Sequence, residues 1–214
     1  MKRRRRPQRA PHDPIPVWGD RRRIRIGLLG GSFNPAHAGH RHIAEQALRH
    51  FGLDQVWLLV SPGNPLKPAA GMAGLPARLA SATGIADGRR VIATGIEARL
   101  GTRYTVDTLR LLRRRFSRAR FVWLMGADNL TQLPRWHGWR EIVCTMPFAV
   151  LPRPGYNARA RTGQAASVLR RARLPDRRAA SIAGAAAPAW TYPALPQHPG
   201  SATAIRRAQG LSPE

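Results

Sequence analysis

Residues 24–40 read IRIGLLGGSFNPAHAGH, and the fold follows from how this stretch is parsed. IRIGLLG is short, apolar and β-branched at its start, as a buried strand would be. Gly30 and Gly31 let the backbone pass close to a ligand, because neither carries a Cβ. A helix then starts near Gly39 or His40: in HRHIAEQALRHFG, Ile43, Ala44, Ala47, Leu48 and Phe51 recur at helical spacing, and Gly52 sits where a helix would stop. QVWLLVSP follows as a second buried strand. Strand, glycine turn, helix, strand is a βαβ unit, which requires a parallel sheet.

The pattern repeats downstream. VIATGIE (91–97) reads as a strand, and TVDTLRLLRRRF (105–116) as a helix with Val106, Leu109, Leu112 and Phe116 on one face. FVWLMGAD (121–128) and PFAVLPRPG (147–155) read as strands, WTYPALP (190–196) as a late edge strand, and ATAIRRAQ (202–209) as a final short helix. Residues 67–90 and 153–188 are rich in small residues, Pro and Gly, and read as loops and surface. The fold class is therefore α/β: a Rossmann-like, doubly wound parallel sheet in a single domain, with ligands at the carboxyl ends of its strands.

The 214 residues suit one such domain with a real core. It is assigned to 23–214, after a disordered basic extension over 1–22, which is Arg- and Pro-rich and has no periodicity. Neither a membrane span nor a secretory signal is expected, since no sufficiently long apolar run occurs. The single cysteine, Cys144, suits a reducing cytoplasm. The net charge of +25 invites a nucleic-acid reading, but only Lys2 and Lys67 among the 36 basic residues are lysines. That arginine bias, spread along the chain, favours a compositional origin over a dedicated nucleic-acid surface. A positive field also favours small anionic substrates.

The chemistry signal lies in the first βα turn. Glycines before a helix N-terminus make an anion site. His37 and His40, three residues apart at the helix entry, can aim both imidazoles at one phosphate and stabilise charge developing on a phosphoryl oxygen. The turn matches neither GxGxxG nor GxxxxGK[ST], and no further His, Cys or Asp cluster stands at metal-ligand spacing.

GGSFNPAHAGH resembles the GxFxPxHxGH signature of the nucleotidylyltransferase superfamily. The resemblance implies the nucleotidylyltransferase fold and direct attack of a substrate phosphate on the α-phosphorus of ATP. Mg²⁺ would be carried by the ATP phosphates, with no metal held by the protein alone. Gly30, Gly31, Ser32, Phe33, His37 and His40 would then contact ATP. Several later segments are similar to the nicotinate-nucleotide adenylyltransferase family and together span nearly all of 24–207. In SPGNPLKP, Lys67 would act on a phosphate. In RYTVDTL, Thr105 and Asp107 would lie against the nicotinate ring. In GADNLTQLPRWHGW, Gly126 and Asp128 would contact ATP and Trp136 would stack on the pyridine, whereas Trp139 reads as core. Arg153 of LPRPGY matches the family's RPG, and Asn34 joins the nicotinate-nucleotide set.

PGSATAIRR resembles ISSTxIR, so that Ser201, Thr203 and Arg206 would hold the triphosphate, Arg206 with a catalytic part alongside His37, His40 and Lys67. Here Gly200 stands where the family has Ile and Ala202 where it has its second Ser, which removes one hydroxyl contact. The reaction implied is adenylyl transfer from ATP to nicotinate mononucleotide in NAD biosynthesis. The alternatives are nicotinamide mononucleotide or phosphopantetheine as acceptor, a nucleic-acid binder on the same fold, or a degenerate homologue. Oligomeric state stays open.

Overall fold

The computed structural model describes residues 13–63, 71–200 and 205–206. Its elements in chain order are β1 (Arg25–Gly31), α1 (Ala38–His50), β2 (Gln55–Val60), α2 (Leu75–Ile85), β3 (Val91–Thr94), α3 (Ile96–Leu100), α4 (Thr105–Arg115), β4 (Arg120–Gly126), α5 (Ala127–Gln132), α6 (Trp139–Thr145), β5 (Phe148–Leu151), α7 (Asn157–Thr162), α8 (Gln164–Val168) and β6 (Trp190–Thr191). Short 3-10 segments lie at Leu133–Arg135, Arg170–Ala172 and Asp176–Gly184. The strands form one six-stranded sheet in the order β3-β2-β1-β4-β5-β6, with every pair parallel. The doubly wound reading from sequence holds.

Both faces of the sheet are covered, so its strands are apolar on both sides. The two-residue side-chain period sorts them cleanly. Ile26, Leu28, Trp57, Leu59, Trp123 and Met125 face one core, with Val106, Leu109 and Leu112 of α4 and Ile142 of α6. Leu29, Val56, Leu58, Val122 and Leu124 face the other, with Ala44, Ala47 and Leu48 of α1 and Ala82 of α2. Each fully buried large side chain contributes roughly 1.5–3 kcal/mol. The chain moves from β1 outward to β3 on one side and from β4 outward to β6 on the other. Between β1 and β4 the connections part, and the crevice above their carboxyl ends is the switch point where this topology places a ligand.

Three expectations are corrected. Residues 67–90 are not all loop: LPARLASATGI forms α2, with Pro76 in its first turn and alanines supplying helix propensity in place of a strong apolar stripe. Residues 153–188 contain α7, α8 and two 3-10 segments, packed through small residues such as Ala160, Ala165, Ala179 and Ala183. Small side chains that look loop-like in sequence here allow short elements to pack close. Residues 13–22, read as part of a disordered extension, pack against the domain. Ile15 is buried in the core, and the Asp13 carboxylate accepts from the Thr94 hydroxyl (2.7 Å) and the Gly95 N–H (2.8 Å). Arg99 and Arg115 donate to the carbonyls of Ile15 and Val17 at 2.7 and 2.6 Å. The VIATGIE strand ends at Thr94, where Gly95 turns the chain into α3. Of the expected last helix, only Ile205 and Arg206 are among the described residues, and both are helical.

Candidate active site

A cleft of about 570 Å³ opens above the carboxyl ends of β1 and β4, within the size range of small-molecule sites. One wall is the entry to α1. His37 is its N-cap in extended geometry (φ −150°, ψ 170°). The Gly39 N–H donates to His37 Nδ1 at 3.1 Å, and the His37 N–H donates to His40 Nδ1 at 3.2 Å. A backbone N–H can only donate, so each Nδ1 must be unprotonated. Each ring is therefore neutral, with its proton on Nε2 as a donor edge. The histidines cap the helix with one nitrogen and keep the other for a ligand.

Their electrostatics agree with the neutral state. His37 is lowered to about 4, first by loss of water, then by the charge of Arg153 and by His198. His40 is lowered to about 3 by loss of water, then by His37 and Arg153. The two rings lie 3.9 Å apart at their centroids. Phe33, buried and in left-handed backbone geometry (φ 50°), sets its ring 4.8 Å from that of His40. The ring is buried and packs against that of His40. A Cβ at Gly39 would lie 2.8 Å from the His37 ring and 3.1 Å from the Gly200 carbonyl oxygen. Only hydrogen at position 39 lets both close over the helix end.

The loops around this wall are tied together by arginines. Arg78 on α2 is buried, and its guanidinium donates to the carbonyls of Ser32 (2.9 Å), Ser61 (2.7 Å), Pro62 (3.2 Å) and Ala73 (2.8 Å). One planar fork thus fixes the loop after β1 against the loop after β2. Arg206 is buried, borders the cleft and donates to the Asn34 carbonyl at 2.5 Å. The Asn34 side chain donates to the Gly71 carbonyl (3.1 Å) and accepts from the Ala73 N–H (3.3 Å). Asn34 thereby ties the loop after β1 to the start of the segment that leads into α2.

The opposite wall is made by β4, α3 and α4. Asp128 in the first turn of α5 accepts from Arg153 Nη1 at 2.5 Å, while its Oδ1 is buried without a partner. Arg153 was grouped with the nicotinate nucleotide. It pairs with Asp128, and its charge lowers both histidines, so it stands near the entry to α1. Trp136 sits 5.5 Å from the Trp123 ring and borders the cleft, with Nε1 buried and unpartnered. Thr105, Tyr104 and His137 line the same side, the last two with rings 4.4 Å apart. Asp107 does not reach the cleft. It lies on another face of α4 and pairs with Arg110 at 3.5 Å, because two residues along a helix turn the side chain well away from Thr105. Trp139 is in the core, as read.

Gly30, Gly31, Ser32, His37, His40, Gly126, Asp128, Thr105, Trp136, Arg153 and Arg206 thus come together on one cleft. Lys67, Ser201 and Thr203 lie outside the described residues. Sequence reasoning missed three groups. Gln46, on the third turn of α1, has a buried and unpartnered Oε1 on the cleft; a polar residue on the apolar face of that helix was the available signal. Arg78 gave no signal, since its partners are distant in sequence. Glu97 lines the cleft from α3, and burial raises its carboxyl to about 7 against a lowering hydrogen bond from Thr108. Among the described residues, no group of three or more His, Cys, Asp or Glu could hold a metal.

Comparison with known proteins gives the frame. A family model described as cytidylyltransferase-like matches residues 28–208. A protein of Gluconacetobacter diazotrophicus named "Probable nicotinate-nucleotide adenylyltransferase" is 60% identical over 192 residues, covering 90% of this chain and 89% of its own. One of Gluconobacter oxydans with the same name is 58% identical over 191 residues, covering 89% and 98%. Among solved structures, Plasmodium falciparum nicotinic acid mononucleotide adenylyltransferase complexed with NaAD superposes with a TM-score of 0.63 at 14% identity, over 86% of this chain and 83% of that one. The last likeness concerns the fold.

Proposed function

The chain belongs to the nicotinate-nucleotide adenylyltransferases of the cytidylyltransferase-like family, and from that premise we propose how its cleft performs their reaction. The enzyme transfers AMP from ATP to nicotinate mononucleotide, giving nicotinate adenine dinucleotide and pyrophosphate, in NAD biosynthesis. A phosphate oxygen of the mononucleotide forms a bond to the α-phosphorus as the bond from that phosphorus to the bridging oxygen of pyrophosphate breaks. No protein nucleophile is needed, because holding the two substrates in line removes most of the entropic barrier.

The observation that carries this reading is the tautomer of the two histidines. Nε2–H of His37 and of His40 would donate to phosphoryl oxygens whose charge grows in the transition state. Arg206 and the Arg153–Asp128 pair would flank the polyphosphate, with Gly30, Gly31 and Ser32 letting it approach the backbone. Lys67, Ser201 and Thr203 are proposed as further phosphate ligands on the family motifs alone. Thr105 and Trp136 would form the acceptor side, with the indole face over the pyridinium. The unpartnered buried atoms Gln46 Oε1, Asp128 Oδ1 and Trp136 Nε1 support a ligand site, since such atoms normally find partners.

The donor set fits Mg²⁺ carried on the phosphates. This small cation keeps several waters and favours phosphate oxygens, and the cleft offers it Asp128 Oδ1 and no cage. When bound, it would neutralise polyphosphate charge. We place the reaction in the cytoplasm, where ATP and mononucleotides are dissolved; among the described residues no helix is long and apolar enough to cross a membrane. The test is pyrophosphate release with Mg²⁺, ATP and, in parallel, nicotinate mononucleotide, nicotinamide mononucleotide or phosphopantetheine. Strong preference for the first is expected. Preference for another acceptor would overturn the assignment of Thr105 and Trp136, and silence with all three would overturn the reaction.

A further inference from the structure

A third histidine stands on the phosphate wall. His198 lies in the segment that returns from β6 over the entry to α1, and its ring borders the same cleft as His37 and His40. The Gly200 N–H donates to His198 Nδ1 at 2.9 Å. As in the other two rings, Nδ1 accepts, so the proton is on Nε2. The segment is held against α1 from both sides. His42 Nε2 meets the Pro196 carbonyl oxygen at 2.9 Å, and the His42 and His198 rings lie 5.6 Å apart.

Glycine at 200 is what permits this turn. A Cβ there would lie 2.9 Å from His198 Nδ1 and 3.5 Å from His37 Nδ1. A side chain such as the motif's isoleucine would therefore push the His198 ring out of its bond, while its Cβ would make an ordinary contact with His37. Gly200 and His198 fit one another sterically in this turn. They accompany Ala202, which has lost the hydroxyl that the motif's second serine would offer a phosphate.

We propose that His198 is a third phosphate ligand of this cleft, donating its Nε2–H to the polyphosphate of ATP beside His37 and His40. It takes over, from the segment just before the motif, a donor that the motif lacks. The inference rests on reading the cleft as an ATP site. Three imidazoles then share one design: a backbone N–H fills Nδ1 and leaves Nε2–H for the ligand.

The experiment uses the full chain with Mg²⁺-ATP and two variants. His198→Ala removes the ring. His198→Asn keeps an acceptor where Nδ1 was, so the Gly200 N–H stays bonded, but removes the Nε2 donor. KM for ATP is expected to rise roughly ten-fold or more in both, as for loss of a hydrogen bond to a charged group. KM for nicotinate mononucleotide should stay within about two-fold, as should the inhibition constant of adenosine, which has no phosphate. An unchanged KM for ATP overturns the proposal. So does a rise in His198→Ala that His198→Asn restores, which would reduce His198 to holding the turn, or an equal loss for ATP and adenosine, which would mean a general collapse of the site. If the unsubstituted chain neither binds nor turns over ATP, the reading beneath the proposal fails, and that control separates the two failures.

Discussion

The two ends of the cleft are pushed toward neutrality from opposite directions. At the entry to α1, His37 and His40 would each be partly cationic in water near neutral pH, yet here they are uncharged. Across the cleft, Glu97 on α3 would be anionic in water, yet burial holds its carboxyl near half-protonation at pH 7. The cause is the same on both sides: little water reaches these groups, and the charged form suffers. The difference lies in what the neutral group can do. Each imidazole keeps an N–H that can stabilise an incoming polyphosphate. Protonation of the carboxyl removes an anion from the side proposed to receive the second anionic substrate. The two imidazoles thus wait uncharged and the carboxyl only about half ionised at pH 7, and the ligands would bring the charge.

The contrast can be broken most sharply at the histidine end. His40→Ala should lower kcat by about 10²–10³-fold with a modest change in KM for ATP, the pattern for a donor used mainly in the transition state. Steady-state pyrophosphate release decides it, and an unchanged kcat would remove His40 from the chemistry. At the acceptor end, Trp136→Ala should raise KM for nicotinate mononucleotide about ten-fold through loss of the indole face, leaving KM for ATP near its original value. An unaltered acceptor KM would refute the stacking.

Glu97 offers a gentler probe. As pH rises from 6 to 8 the carboxyl ionises through about 7, and KM for nicotinate mononucleotide should climb a few-fold. Glu97→Gln stays neutral and should flatten that climb; a profile identical to that of the unsubstituted chain would free Glu97 of the role. Arg103 and His137 also line this end, so the difference between the two profiles is the quantity to read.

The smallest expected effect is on stability. The folded values of about 4 and 3 for His37 and His40 lie below the ordinary 6.5. The unfolded chain therefore takes up protons that the folded chain refuses as pH falls below 6.5, and this contribution to stability drains away toward pH 4 and 3. Glu97 works the other way: its raised value favours the fold below 4.5 and loses that contribution as pH rises through 7. Two histidines outweigh one carboxyl, so the melting temperature should fall between pH 6.5 and 4.5. Glu97→Gln should make that fall steeper. Thermal melts across this window check the sign.

What was legible in the sequence was whatever is decided locally. Gly30 and Gly31, the helix entry at Gly39 and the histidine pair lie within a dozen residues, and their spacing alone specifies how they meet. Val106, Leu109 and Leu112 announced their face by period. Arg78 was invisible because its four carbonyls come from three segments that only the fold brings together. Residues 13–22 looked like an extension because their partners, at Thr94, Gly95, Arg99 and Arg115, are far along the chain. Asn34, Phe33 and Asp107 sit within true motifs, but motif membership does not say which way a side chain points. Asn34 ties loops together, Phe33 packs against His40, and Asp107 faces away. Glu97 acquires its character from burial, which no local spacing encodes.

The position of β1 also sets an order in time. Among the described strands it is the earliest in the chain, and it lies inside the finished sheet, between β2 and β4. The β1–α1–β2 half can pair as soon as Val60 is made, but the other edge of β1 stays open until β4, which begins at Arg120, has been synthesised. Closing parallel strands across such a gap in sequence is slow. The backbone edge of β1 that later pairs with β4, with Ile26 and Leu28 on one face beside it and Leu29 on the other, is therefore what a nascent chain must shield longest, and substitutions that hasten collapse elsewhere would do little to shorten that wait.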